Sequence, residues 1–231
     1  MNPSLMKNAF LKICLTVCSL LIPLLIGPYL ARVFDTGLYG DYNRALAQLS
    51  AVMPIASFGI YTYGVRMVSR VRDRPRQAAS LFSRLFRIGA FTNLLGFGAF
   101  LLYSLCFAES SSFALYFALS LQILDNIFVS EWMNEAFENY GFITVKTILV
   151  RLLYAALVIL LVKKPDDVVL FALLVAFASF LNNFSSFLVA WAKCRKYKRL
   201  PDNGPPLQPV KSVWKPLLLL TLITNAGILF T

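Results

Sequence analysis

The stretch FITVKTILVRLLYAALVILLV, residues 142–162, decides how the rest of the chain is read: twenty-one residues, two charges, no glycine and no proline. A helix needs about 20 largely apolar residues to cross a bilayer core of about 30 Å. This run meets that length at a composition no water-facing helix keeps, and similar runs recur on both sides of it. Spans are placed at 9–31, 42–64, 88–107, 113–133, 142–162 and 168–192, with a seventh beginning near Trp214. Composition agrees. With 58% hydrophobic residues and 14% charged, and a mean hydropathy of +0.69, a soluble domain would expose far more apolar surface than water tolerates. The fold class is therefore all-α: a polytopic membrane protein with a six-helix transmembrane bundle and the start of a seventh helix.

A net charge of +11 would suggest nucleic acid in a soluble protein, but its placement points to a membrane surface. Seven basic residues lie between Arg66 and Arg87 and seven between Lys193 and Lys215, both groups between apolar stretches. With the N-terminus cytoplasmic, sixteen basic residues face inward (Lys7, Lys12 and both clusters) against four outward (Arg32, Arg44, Lys163, Lys164). The opposite orientation would invert that bias. Trp132, Trp191 and Trp214 then fall at the inner interface and Tyr29 at the outer one, where amphipathic rings sit. The length of the first apolar run and its lack of a small-x-small cleavage site favour a retained span over a signal peptide.

The inner segment 65–87 is expected to hold a short surface helix. Pro75 starts it, Asp73 lies near its cap, and Ala78, Leu81, Phe82 and Leu85 form a stripe laid on the inner leaflet. Pro23 and Pro54 interrupt backbone bonding inside spans 1 and 2. RLPDNGPPLQPVKSVWKP, residues 199–216, is the one Pro/Gly-rich stretch. The domain reading is a bundle over 1–200, a basic linker over 201–213, and an incomplete span of a second bundle over 214–231. Thr231 comes roughly 16 residues after Pro216, about 24 Å of helix against a core of about 30 Å, so the chain is read as the N-terminal part of a longer protein.

Chemistry is narrowed by what is missing. Without histidine there is no imidazole catalysis and no His/Cys metal site. No nucleophile elbow, P-loop, H-E-x-x-H or CxxC motif occurs, and Gly96-Phe97-Gly98 lacks the rest of a dinucleotide fingerprint and suits close helix packing instead. Cys14, Cys18, Cys106 and Cys194 read as small packing residues. Neither a cofactor nor a metal is expected, and no enzyme. Glu131, Glu135 and Glu138 are read as a solvated helix end, and Lys146 as snorkelling toward Glu135 and Glu138. The Asn183-Phe184-Ser185 sequon lies within span 6 and is discarded.

Charges deep in a membrane cost a few kcal/mol each unless paired or hydrated. Asp125 and Arg151 are the two deepest, at nearly the same depth in spans 4 and 5. Two readings stand: an ion pair joining those spans, or a water-filled cavity in which Arg151, with Thr147 and Tyr154 on its face, meets an anion while Asp125 holds or releases it. Polar stripes add Gln122 and Asn126 in span 4, and Ser179, Asn182, Asn183 and Ser186 in span 6. Arg66, Arg84 and Arg87 form a basic inner rim.

Two segments carry a resemblance. PLLIGPYLARVFDTGLYGDYNRALAQLSAVMPIASFGIYTYGVRMVS (23–69) and EWMNEAFENYGFITVKTILVRLLYAALVILLVKKPDDVVLFAL (131–173) resemble the Wzx-type flippases of the multidrug, oligosaccharidyl-lipid and polysaccharide exporter superfamily. Family members have 12 to 14 spans in two bundles, of which this chain supplies the first. The resemblance implies translocation of undecaprenyl-diphosphate-linked oligosaccharide repeat units across the bacterial cytoplasmic membrane for surface polysaccharide, by alternating access between two bundles. Its implied partners are that lipid-linked oligosaccharide, membrane lipids, polysaccharide assembly proteins and the missing C-terminal bundle, with no nucleic acid. The alternatives are a multidrug or cation exporter, a peptidoglycan-precursor flippase, or a non-functional truncated membrane protein.

Overall fold

The computed structural model describes residues 3–109, 112–201, 214–219 and 221. Within them the chain is all-helical: α1 (Pro3–Val33), α2 (Thr36–Ser57), α3 (Ile60–Arg70), α4 (Pro75–Phe107), α5 (Phe113–Asp125), α6 (Glu131–Ala136), α7 (Tyr140–Leu161) and α8 (Val168–Tyr197). By length and composition they make six membrane spans, with α2–α3 and α5–α6 each forming one span in two pieces. The linker placed at 201–213, apart from Pro201, and most of the seventh span fall outside the described residues.

Apolar side chains fill the bundle in two separate cores. One joins Ile22, Ile26 and Leu30 of α1 to Ala45, Leu49, Phe100, Leu119, Val158 and Phe171. The other, toward the basic end, joins Val68, Leu81, Phe82, Leu85, Trp132, Met133, Ala190 and Cys194. Between them lies a level rich in polar groups, with Asn93 on α4, Asp125 and Asn126 at the end of α5, and Ser179 to Ser186 on α8. The outside is apolar: Leu20, Leu24, Leu94, Leu105, Leu149 and Leu160 are all exposed, the surface expected of a protein whose solvent is lipid.

Both broken spans break at this polar level. The α2–α3 break is made by Phe58 (φ 50°) and Gly59 (φ 63°), both left-handed, a turn that glycine enters without a Cβ penalty and phenylalanine does not. It comes one turn after Pro54, whose carbonyl accepts the Phe58 amide at 3.2 Å. Pro23 and Pro28, by contrast, leave α1 uninterrupted. The α5–α6 break passes through a 3₁₀ turn, Asn126–Phe128, and the non-helical Val129 and Ser130. Irregular backbone at membrane depth is tolerated only inside protein or beside a cavity, and a cavity of about 150 Å³ lies between the two breaks, lined by Ser57, Tyr61, Asn93, Asn126 and Ser130 among others.

Three expectations are corrected. The surface helix at Pro75 does not exist as a separate element: α4 runs unbroken from Pro75 to Phe107, because nothing between Leu85 and Ile88 stops it. Its stripe of Ala78, Leu81, Phe82 and Leu85 is buried in the basic-end core and not laid on a leaflet. Trp132 is not an interfacial ring; it is 1% exposed, and its indole donates to the Val129 carbonyl at 3.0 Å. Gly64 makes room for it, since a Cβ there would lie 2.6 Å from the indole. Gly96 permits the close approach expected of it, its Cβ position being 2.8 Å from that of Ala56, whereas Gly98 faces open space.

Candidate functional site

Helix α8 packs against both α5 and α7 and stands between them, so its two polar faces decide which residues meet. Successive helical residues are about 100° apart. Asn182 accordingly turns toward α7 while Asn183 turns toward α5. The expected ion pair between Asp125 and Arg151 is therefore absent. Asp125 takes a hydrogen bond from Asn183 Nδ2 to Oδ1 at 2.6 Å, and neither residue is in any ion pair of the described residues.

Arg151 has no hydrogen-bond or ion-pair partner among the described residues. It lines a cavity of about 270 Å³ between α7 and α8 together with Thr147, Tyr154, Ser179 and Asn182. Thr147 Oγ1 donates to Asn182 Oδ1 at 3.2 Å, which orients the Asn182 amide and leaves its NH₂ available. The cavity thus presents a guanidinium fork, an amide donor and the Tyr154 hydroxyl, with the hydroxyls of Thr147 and Ser179 engaged by Asn182 and Asp125 and with Val150, Val175 and Ala178 as its apolar wall. That set suits an anion with several oxygens and offers nothing acidic to a cation.

Of the sequence candidates, Arg151, Thr147, Tyr154 and Asn182 come together here. Asp125 and Asn183 form a separate pair on the other face of α8. Asn126 donates to Asn93 Oδ1 at 2.8 Å, in the cavity between the two helix breaks. The Gln122 amide nitrogen is buried without a partner. Arg66 and Arg87 are exposed and Arg84 half-buried at the basic end, and none of the three lines the Arg151 cavity.

Lys146 is the residue the sequence misplaces. It is 8% exposed, and its Nζ donates to Glu131 Oε2 at 2.7 Å, Ser186 Oγ at 2.7 Å and the Asn182 carbonyl at 3.1 Å. A lysine kept this deep needs such partners, and Glu131 can supply one because the span breaks just before α6. The other two glutamates are also partnered, and Glu138 is exposed, as a solvated helix end would be. Glu135 accepts from Tyr61 at 2.7 Å and from Lys12 at 3.3 Å, and Glu138 pairs with Arg72 at 2.8 Å. Asn93 and Tyr61 also went unsingled by sequence, although Asn93 in an otherwise apolar run was the available signal.

A comparison with curated proteins and one with solved structures gave no match. The family model described as "Polysaccharide biosynthesis protein" matches residues 5–224. Spanning nearly the whole chain, with six apolar spans behind it, the match establishes that this multi-pass membrane protein belongs to the polysaccharide biosynthesis protein family, a Wzx-like family of transporters.

Proposed function

We propose that the chain acts in a flippase moving undecaprenyl-diphosphate-linked oligosaccharide repeat units from the inner to the outer leaflet of the bacterial cytoplasmic membrane, with its own N-terminus cytoplasmic. The observation that carries this reading is the unpaired Arg151 in a polar cavity halfway along the bundle. Such a charge costs a few kcal/mol, and a diphosphate is the part of the cargo that would offset it. Arg151 grips two phosphate oxygens through its fork, while the Asn182 amide and the Tyr154 hydroxyl complete the contacts. At about 270 Å³ the cavity takes a headgroup and leaves the sugars to a wider path. Arg66, Arg84 and Arg87 gather the headgroup at the membrane surface before it enters.

Carrying about two negative charges outward across an inside-negative potential of about 100 mV is downhill by roughly 4 to 5 kcal/mol. Transport that keeps its full rate after the potential is collapsed would remove that driving force from the account. The direct test is surface polysaccharide in cells whose only copy carries Arg151→Ala, Arg151→Lys or Arg151→Glu at normal abundance. Export should fall at least tenfold with Ala and further with Glu, and Lys should restore part of it, keeping the charge without the fork. Unchanged export in Arg151→Glu would refute a headgroup role.

A further inference from the structure

A third cavity is a groove on the other side of the α7–α8 seam, toward the basic end, and Val150 is the one wall residue it shares with the Arg151 cavity. It measures about 540 Å³ and is walled by Phe142, Val145, Leu149, Val150 and Leu181, with Lys146 and Ser185 as its polar residues. Neither turns a free polar group into it. Lys146 Nζ is taken by Glu131, Ser186 and the Asn182 carbonyl, and Ser185 donates to the Leu181 and Asn182 carbonyls at 2.7 and 3.1 Å. The groove opens to the bilayer, with Val145 58% and Leu149 62% exposed. From Gly141 to Leu149 it runs about 12 Å along α7, close to the hydrocarbon depth of one leaflet, about 15 Å.

The α8 wall leads to a cationic end. Leu181 and Ser185 are followed, at three- and four-residue spacing on the same helix face, by Leu188, Ala192 and Arg195, all three exposed. Lys196 stands beside them and Arg199 just past the helix end. The Arg195 guanidinium lies over the Trp191 ring, 5.7 Å from its centroid, which turns it back toward the membrane beside a ring suited to headgroup depth. No carboxylate pairs with Arg195, Lys196 or Arg199 among the described residues. An apolar groove one leaflet deep, ending at uncompensated cations, matches a hydrocarbon chain joined to an anionic head. A neutral phospholipid would fill the groove and leave the cations as they stand. We propose that the α7–α8 groove binds one anionic glycerophospholipid of the basic-end leaflet, with an acyl chain seated between Gly141 and Leu149 and its phosphate held by Arg195, Lys196 and Arg199. The site uses none of the polar groups of the Arg151 cavity, so it stands or falls apart from the flippase reading.

The test is native mass spectrometry of the full 231-residue chain released from detergent micelles, titrated with phosphatidylglycerol or with phosphatidylcholine of the same acyl chains. The first phosphatidylglycerol is expected to bind at least tenfold more tightly than the first phosphatidylcholine. Arg195→Ala combined with Arg199→Ala should abolish that preference. Val145→Trp, which fills the groove and keeps every basic residue, should weaken phosphatidylglycerol binding at least fivefold. The substituted side chains are all exposed, so each variant should assemble. Equal affinity for the two lipids would mean a chain-filled groove without headgroup recognition and would overturn the proposal. Undiminished phosphatidylglycerol binding in Val145→Trp would show that the basic end attracts anionic lipid without the groove, and would overturn it as well. So would a preference that survives the arginine substitutions.

Discussion

Lys146 has three partners on two other elements, so its ion pair with Glu131 ties α6, the second piece of the broken span, to α7 and α8. With the lysine side chain 6% exposed and the glutamate 24%, breaking the pair from either side strands a charge. Lys146→Met or Glu131→Gln alone should each destabilise by about 3 kcal/mol, the low end for a buried pair. The double variant should lose markedly less than the sum of the two. Thermal unfolding of the four proteins in detergent measures this coupling, and additive losses would show that the two residues act separately. The presence of both residues could be read in the sequence. Their pairing could not, because it depends on a helix break that brings Glu131 under α7, whereas the length of the lysine side chain alone lets it snorkel to the inner surface near Glu135 and Glu138.

The helices were legible where apolar length alone decides them, as in α7, whose ends fall within two residues of the expected boundaries, and at the start of α8, which then runs on through its basic residues to Tyr197. They were not legible where tertiary contacts compete with local preference. Nothing in NIFVSEW announces that span 4 stops, since those residues carry neither glycine nor proline. The break is held from outside the segment, by the Asn126–Asn93 bond and by Trp132 seated on Gly64. That seat gives a sharp contrast between two glycines. Gly64→Ala should cost about 1–3 kcal/mol by overpacking the indole. Gly98→Ala, with nothing within 4 Å, should be neutral or stabilise by up to about 1 kcal/mol through helix propensity. Melting temperatures of the two variants in one detergent check the pair, and equal effects would contradict the close α3–α6 contact.

At the scale of the whole molecule, the charge asymmetry between the two ends makes orientation testable. In a chain with Cys14, Cys18, Cys106 and Cys194 replaced, Lys164→Cys should react with a membrane-impermeant maleimide on intact cells, and Arg74→Cys only after permeabilisation. The reverse pattern would invert the proposed topology. The sequence by itself determined that this is a six-span helical membrane protein with one basic end, with Asp125 and Arg151 midway along their spans. Those properties follow from composition and length, which each segment carries independently of its neighbours. Only the tertiary structure decided which deep residues meet. By standing between α5 and α7, α8 kept the expected ion pair apart, with Arg151 in a polar cavity and Asp125 bonded to Asn183 on its other face. Partnership across helices depends on rotation and neighbour order, and equal depth in the membrane specifies neither.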